Sequence, residues 1–160
     1  MSPASPDLAA VSALVLAGGL GTRLRPVVSD KPKVLAPVAG RPFLTRLLDQ
    51  LAQAGVRDAI LCTGYMAGQI ESALGASHGP LRLRYSPEAQ PLGTGGALRL
   101  ALPLTRSDPI LALNGDSYCD LDLPAFWRWH NEKRSPASLC LCRVDDVSRY
   151  GHVHATAGGR

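Results

Sequence analysis

The stretch "LVLAGGLGTRLRPVVSDKPKVLAPV", residues 14–38, decides the fold. It begins as an apolar strand, and the glycines and charges that follow do not belong in a buried core. Glycine lets backbone N–H groups approach an anion closely, and consecutive N–H groups form a concave anion site. The loop offers three such glycines and four cations: Gly18, Gly19, Gly21, Arg23, Arg25, Lys31 and Lys33. A polyphosphate is the natural ligand, since Arg binds phosphate oxygens in a fork and Lys as a point charge.

Around this stretch, strand and helix patterns alternate along the whole chain. Short apolar or alternating runs predict strands at 13–16, 58–64, 81–86, 109–116 and 137–144. Apolar residues at helical spacing predict helices at 42–55, 66–75, 94–102 and 123–133. This alternation predicts an α/β fold of three layers, a Rossmann-like, mostly parallel sheet with helices on both faces.

The composition fits one globular domain. The chain has 160 residues, of which 46% are hydrophobic and 19% charged, enough for a core without disulfides or metal. A formal charge of +4 without any long run of like charges predicts neither a nucleic-acid partner nor a membrane surface. No apolar run approaches the length of a membrane span, and the start of the chain lacks the basic region of a signal peptide. We therefore expect a cytoplasmic location.

The four cysteines are predicted to be free thiols in a reducing compartment. None forms a C-x-x-C pair, and no histidines follow at zinc-finger spacing. Cys140 and Cys142 alternate with Leu139 and Leu141, which indicates one face of a buried strand. We therefore expect the thiols to act as small core hydrophobes.

The connection from Ala17 to Pro42 is too long for an ordinary α/β loop, and such loops are functional or disordered. It leaves the carboxyl end of the first strand, where open α/β sheets bind ligands. Two familiar phosphate loops are excluded. The Walker A string G-K-[ST] is absent. The dinucleotide fingerprint has Leu24 where the third glycine belongs, and the next strand ends in Thr63 and Gly64 without an acidic residue.

The string that does match is G-x-G-T-R-L-x-P followed by P-K, with Pro32-Lys33 as the second part. It resembles the signature of the sugar-1-phosphate nucleotidylyltransferases. The resemblance continues in order through "SPEAQPLGTGGAL" (86–98), "ALNGDSYCDLDL" (112–123) and "DVSRYGHV" (146–153), and so covers essentially the whole chain. The form PLGTGGAL is most similar to guanylyltransferases that act on mannose-type or D-glycero-D-manno-heptose 1-phosphates.

The resemblance implies a Mg²⁺-dependent transfer of a nucleoside monophosphate, GMP being favoured, from an NTP to a sugar 1-phosphate. The implied catalytic residues are Arg23, Lys33 and Asp116, with Asp116 as the metal ligand. The implied nucleotide-binding residues are Leu16, Ala17, Gly18, Gly19, Gly21, Thr22, Arg23, Lys33, Gly93, Thr94 and Gly95. The implied sugar-binding residues are Asn114 and Gly151.

Several of these residues also have a purely structural interpretation. A carboxylate at the end of an apolar strand is well placed for Mg²⁺, yet Asp116 could instead cap a turn, as Asp120 and Asp122 are expected to do. Gly93 to Gly95 could be an ordinary helix start. Trp127 and Trp129 are two residues apart on a helix and cannot share a face, so at least one should lie in the core or at a partner interface.

The expected organisation is a single nucleotidyltransferase domain over 1–160, with a flexible tail at 1–10, a nucleotide-binding half at 11–135 and the truncated start of a sugar-binding half at 136–160. The resemblance implies that a second metal-binding Asp and a sugar-phosphate lysine belong beyond this point, so the chain is expected to be incomplete at its C-terminus. A nucleotide-binding module or inactive fragment, and a uridylyl- or thymidylyltransferase, stay open as alternatives. A homo-oligomer is compatible with the sequence.

Overall fold

The computed structural model describes residues 7–19, 21, 31–144, 146, 148, 151 and 153–154. The strands are β1 Ser12–Leu16, β2 Pro37–Val38, β3 Arg41–Pro42, β4 Asp58–Thr63, β5 Ser77–His78, β6 Leu81–Pro87 and β7 Leu111–Asn114. The α-helices are α1 Phe43–Gln53, α2 Ala67–Leu74, α3 Gly93–Ala101 and α4 Leu123–Lys133. None of the helices in this part of the chain has the length and hydrophobicity that a membrane span requires.

The main sheet has the strand order β5-β6-β4-β1-β7. Strands β6, β4, β1 and β7 are parallel, while the short strand β5 runs antiparallel to β6. Strand β1 lies between β4 and β7, with Leu14 opposite Ile60 on one side and Ala112 on the other. A central strand that is paired on both edges and covered on both faces is expected to be largely apolar, and β1 is apolar from Ala13 to Leu16. The predicted mostly parallel sheet is confirmed.

Helices cover both faces of the sheet, as the alternation of strands and helices predicted. Ala13 and Val15 face a large cluster that includes buried leucines of α1 and Trp127 of α4. Leu14 faces the other way, into a smaller cluster with Ala97 and Ala101 of α3. Since successive side chains of a strand point to opposite faces, this one strand anchors both helical layers.

Local signals set several element boundaries as expected. Helix α4 spans the predicted 123–133, and the Asp122 carboxylate caps it by accepting a 2.8 Å hydrogen bond from the Ala125 N–H. Helix α1 ends before Gly55, which has a φ of +99° that favours glycine. As predicted, the two tryptophans of α4 lie on different faces of the helix: Trp127 is buried and Trp129 is exposed.

The strand predicted at 137–144 is wrong. These residues are all described, and none belongs to a strand or a helix. Cys140 and Cys142 are exposed, as are Leu139 and Leu141, so only Cys62 behaves as the predicted buried thiol. The alternation of leucine and cysteine does favour an extended backbone, but a strand also needs a neighbour for its hydrogen bonds. In the described structure β7 pairs with β1 alone, and no strand is added outside it.

Two further segments are more ordered than the sequence suggested. Leu8–Ala10, assigned to the flexible tail, form a 3-10 turn capped by Asp7, and Leu8 is buried. The long connection after β1 contains a 3-10 turn at Lys33–Leu35 and the small β2–β3 hairpin. The division between nucleotide- and sugar-binding halves stays a prediction.

The amino ends of the central strands are joined by one buried carboxylate. Asp58, at the start of β4, accepts hydrogen bonds from Ser12 Oγ and from the guanidinium groups of Arg82 and Arg84. Although burial acts to raise it, these three donors hold the pKa of Asp58 below its usual value of 3.8. The cluster ties β1, β4 and β6 together.

Candidate active site at the carboxyl ends of the strands

The carboxyl ends of β4, β1 and β7 are held together by backbone hydrogen bonds beyond the strands themselves. The Ala17 N–H donates to the Cys62 carbonyl over 2.8 Å, and the Gly115 N–H donates to the Leu16 carbonyl over 2.8 Å. The loops that follow these three strands therefore start side by side. In open parallel sheets this edge is where ligands bind.

Two glycines allow the strand ends to approach so closely. A methyl group built on Gly115 would lie 2.6 Å from the Leu16 carbonyl oxygen, and one on Gly18 would lie 2.9 Å from Glu88 Oε1. Gly19 differs, because a methyl group there would meet no atom of the described residues within 4 Å. Gly18 and Gly115 thus serve the packing of the strand ends, while Gly19 leaves open space above them.

A pocket of about 590 Å³ opens above these strand ends, a size typical of small-molecule sites. It is lined by Leu16, Ala17, Gly18, Gly19, Gly21, Lys33, Val34, Cys62, Glu88, Pro91, Gly93, Thr94, Ala97, Asn114 and Asp116. The wall therefore combines the glycine loop after β1, the start of α3 and the end of β7. Each of these segments belongs to a different motif of the sequence.

A lysine and an aspartate meet at this pocket. Lys33 Nζ donates to Asp116 Oδ2 over 2.8 Å, and the two side chains are 37% and 43% exposed. Lys33 begins a 3-10 turn whose next residues, Val34 and Leu35, are buried, so its backbone is anchored to the core. An ion pair this exposed contributes about 1 kcal/mol or less to stability. Its effect is to hold a cation and a carboxylate at one place on the pocket wall.

The start of α3 gives the pocket backbone donors. Gly93 and Thr94, in the first turn of α3, line the pocket. The N-cap residue is Leu92, whose side chain does not cap this turn. The first N–H groups of a helix have no partners within the helix and carry a partial positive charge. Such a helix start binds anions or polar ring atoms.

Ten of the predicted site residues line this pocket: Leu16, Ala17, Gly18, Gly19, Gly21, Lys33, Gly93, Thr94, Asn114 and Asp116. Gly95 and Gly151 are described but do not line it. Thr22 and Arg23 lie outside the described residues. The structure brings the residues of three motifs together, and their roles stay predictions.

Sequence reasoning missed Glu88. It lies just past β6, accepts a 3.1 Å hydrogen bond from the Leu92 N–H, and lines the pocket beside Gly18. Burial, and after it the charge of Glu88, raises the pKa of the Cys62 thiol to about 11, so this pocket cysteine stays protonated near neutral pH. The signal that could have identified Glu88 is a carboxylate close after the strand predicted at 81–86. It lies within the motif at 86–98, in which only Gly93 to Gly95 are assigned to the site.

The pocket partly suits a divalent cation. Among the described residues, no group of three or more His, Cys, Asp or Glu is arranged to hold a metal ion. Asp116 does offer an exposed carboxylate at the pocket, with Ser117 Oγ 3.4 Å from its Oδ1. Mg²⁺ commonly takes one or two carboxylates and completes its shell with substrate phosphates and water. Asp116 thus fits the protein's share of such a site.

A comparison with protein families decides the assignment. The model of the family described as nucleotidyl transferase matches residues 12–160. The chain belongs to the nucleotidyl transferase family. The resemblance drawn from the four sequence motifs is thereby confirmed.

Relatives of this nucleotidyl transferase include a mannose-1-phosphate guanylyltransferase of Mycobacterium tuberculosis, 40% identical over 89% of this chain and 40% of that protein. A D-glycero-alpha-D-manno-heptose 1-phosphate guanylyltransferase of Aneurinibacillus thermoaerophilus is 37% identical over 89% of this chain and 62% of that protein. Among solved structures, HddC from Yersinia pseudotuberculosis complexed with GMP-PN has a TM-score of 0.73 at 34% identity, covering 92% of this chain and 65% of that one. The chain spans 40% to 63% of the length of the first curated relatives it matches.

Proposed function

We propose that this nucleotidyl transferase moves a nucleoside monophosphate, GMP in preference to others, from an NTP to a sugar 1-phosphate and releases pyrophosphate. The observation that carries the proposal is the Lys33–Asp116 pair at the pocket wall. A triphosphate needs cationic partners, and a phosphate-bound Mg²⁺ needs a carboxylate. The pair presents both at one point, beside the open backbone of the glycine loop.

In this proposal, the phosphates lie along the loop after β1. Gly19 leaves the space for them, and backbone groups of Gly18 and Gly21 contact them. Lys33 neutralises charge near the reacting phosphorus, and Asp116 holds Mg²⁺. Thr22 and Arg23 lie outside the described residues, and the roles that the resemblance implies for them are nucleotide binding for both and catalysis for Arg23. The chemistry that Mg²⁺ supplies when bound is the neutralisation of charge on phosphate oxygens.

The reaction requires positioning more than covalent help from the protein. An oxygen of the sugar 1-phosphate attacks the α-phosphorus, a new P–O bond forms there, and the bond to the β-phosphate oxygen breaks. When the substrate binds, Lys33 exchanges its ion pair with Asp116 for contacts with the phosphates. The Asp116 carboxylate is then available to Mg²⁺. The start of α3 at Gly93, Thr94 and Gly95 is proposed to meet the base, while Leu16 and Ala17 line the floor.

The preference for GMP rests on the names of the relatives, two of which are guanylyltransferases for mannose and heptose 1-phosphates. Sugar contacts are proposed for Asn114, which lines the pocket, and for Gly151, which lies outside its lining. The cytoplasmic location and a homo-oligomer remain predictions from the sequence.

The test is pyrophosphate release by the purified 160-residue chain with Mg²⁺. GTP, UTP, dTTP, CTP and ATP are each combined with mannose, glucose and heptose 1-phosphates. We expect release with GTP and a mannose- or heptose-type 1-phosphate. Preference for UTP or dTTP would overturn the assignment of GMP. No release from a folded chain that still binds GTP would mean that these 160 residues do not complete the reaction by themselves, and it would favour the nucleotide-binding module.

A further inference from the structure

Three of the four cysteines lie together, away from the pocket lining. Cys119 belongs to the loop between β7 and α4, and Cys140 and Cys142 belong to the segment after α4, residues 135–144, which we name the post-helix segment. Cys119 Sγ lies 3.8 Å from Cys140 Sγ and 4.0 Å from Cys142 Sγ. Cys119 is thus the shared neighbour of two thiols that the sequence places 21 and 23 residues away.

This thiol cluster, Cys119 with Cys140 and Cys142, is open to reagents in solution. Cys140 and Cys142 are exposed and Cys119 is half-buried, whereas Cys62 is buried in the core. A thiol needs access before it can react, so the cluster and Cys62 should behave oppositely towards an oxidant. The cluster therefore does not have the core-filling role that the sequence suggested for it.

The distances suit bond formation after a modest movement. A disulfide joins sulfurs about 2.05 Å apart, so either sulfur must approach Cys119 by about 2 Å. Cys119 is anchored, since its carbonyl accepts a 2.8 Å hydrogen bond from Gln50 Nε2 of α1. The post-helix segment belongs to no helix or strand, and a change in its backbone costs no ladder or helical hydrogen bond.

We propose that the thiol cluster is a reversible dithiol–disulfide site in which Cys119 bonds to Cys140 or Cys142. The co-reactant is a low-molecular-weight disulfide such as oxidised glutathione. An exposed thiolate, that of Cys140 or Cys142, attacks it, forms a mixed disulfide and releases one small thiol. The Cys119 thiolate then attacks the mixed disulfide at the protein sulfur and releases the second small thiol. Two protein thiols are oxidised, and one small disulfide is reduced to two thiols.

The third thiol gives the site an internal exchange. When Cys119 is bonded to Cys140, the Cys142 sulfur stays next to Cys119 and can attack that bond, releasing Cys140. In the oxidised state the post-helix segment is tied covalently to the loop that begins directly after β7 and contains Asp116. In the reduced state non-covalent contacts hold it, including the 2.8 Å hydrogen bond between His130 Nδ1 and Ser138 Oγ.

The experiment treats the reduced 160-residue chain with oxidised glutathione in the absence of oxygen. Remaining thiols are trapped, and the products are analysed by intact mass and by non-reducing peptide mapping. We expect the free thiols to fall from four to two with a mass loss of about 2 Da before trapping, Cys119 in the disulfide peptide and no oxidation of Cys62. Addition of reduced glutathione should restore all four thiols.

Single variants separate the three sulfurs. Cys140→Ser should leave a Cys119–Cys142 bond, and Cys142→Ser a Cys119–Cys140 bond, while Cys119→Ser should yield glutathione adducts without an internal bond. A Cys140–Cys142 bond that forms equally well in Cys119→Ser would overturn the proposal. So would oxidation of Cys62 at the same rate in the wild-type chain, or glutathione adducts without any internal bond. Tightly retained zinc that blocks oxidation and needs all three thiols would replace the disulfide with a metal site.

Discussion

Each end of the central strands carries an aspartate beside basic side chains, but the aspartate at the amino ends is buried and the one at the carboxyl ends is exposed. At the amino ends, Asp58 is buried and receives hydrogen bonds from Arg82, Arg84 and Ser12. At the carboxyl ends, Asp116 is 43% exposed and meets the single ammonium group of Lys33 at an open pocket. A carboxylate whose oxygens are saturated by protein donors contributes to stability. One that keeps an open side towards a pocket has capacity left for a ligand.

The largest effect is expected from Asp116→Asn. Loss of the carboxylate charge should lower pyrophosphate release by at least about 100-fold, since groups that stabilise charge in the transition state have effects of that size. The free energy of unfolding should change by less than about 1 kcal/mol, because the pair with Lys33 is exposed. Steady-state kinetics and urea unfolding measure the two quantities.

The matched control for that variant is Asp120→Asn, an exposed carboxylate in the same loop that does not line the pocket. It should retain the wild-type rate. Equal loss of activity in both variants would mean that the loop as a whole, rather than the Asp116 carboxylate, is required.

The amino-end carboxylate should behave in the opposite way. Asp58→Asn leaves Arg82 and Arg84 without their shared anion, so we expect the free energy of unfolding to fall by about 2 kcal/mol, less than for a fully buried pair because the arginines are partly exposed. Under conditions in which the Asp58→Asn variant is folded, its rate of turnover should be close to that of the wild type. Unchanged stability would contradict the structural role of this cluster.

The same carboxylate gives stability a definite pH dependence. Its folded-state pKa is lower than the usual value of 3.8, so the stabilisation is present above pH about 4 and is lost as the pH falls through the lower, folded-state pKa. Urea unfolding at pH 7, 5 and 3 should show the wild type losing its advantage over Asp58→Asn at the lowest pH. A constant difference between the two chains down to pH 3 would contradict this assignment.

A smaller contrast is expected between two glycines of the pocket region. Gly115→Ala places a methyl group 2.6 Å from the Leu16 carbonyl oxygen and should lower the free energy of unfolding by about 1 to 3 kcal/mol. Gly19→Ala meets no described residue and should leave stability within about 0.5 kcal/mol. If the methyl group enters the space that the phosphates need, the KM for the NTP rises in Gly19→Ala. Thermal unfolding and NTP titration separate the two.

The smallest effect is the contribution of the Lys33–Asp116 pair to stability. A double-mutant cycle with Lys33→Met and Asp116→Asn should give a coupling energy in unfolding below about 1 kcal/mol. In turnover, Lys33→Met should be severely impaired, and so should Arg23→Ala, because the resemblance implies a catalytic role for both residues. A coupling energy above about 2 kcal/mol would show that the pair is a structural bridge like the Asp58 cluster. Lys133→Met, on the exposed end of α4, is the matched control.

Most of the fold could be predicted because its signals are local. The apolar run of β1, the helical spacing of α4 and the cap at Asp122 each act within a few residues. The failure at 137–144 shows the limit of this reasoning. Alternating side chains favour an extended backbone, but only a neighbouring strand can make that backbone part of a sheet, and no local pattern reports the neighbour.

The sequence by itself determined the four α-helices, the four parallel strands of the main sheet and the motifs that carry the glycines, Lys33 and Asp116. Only the tertiary structure decided which of these residues meet. Lys33 and Asp116 are 83 residues apart and are joined because β1 and β7 are neighbours in the sheet. The place of Glu88 in the pocket and the contact of Cys119 with Cys140 depend in the same way on segments remote in the chain. Contacts over such separations follow from sheet order and packing, which periodicity and composition do not encode.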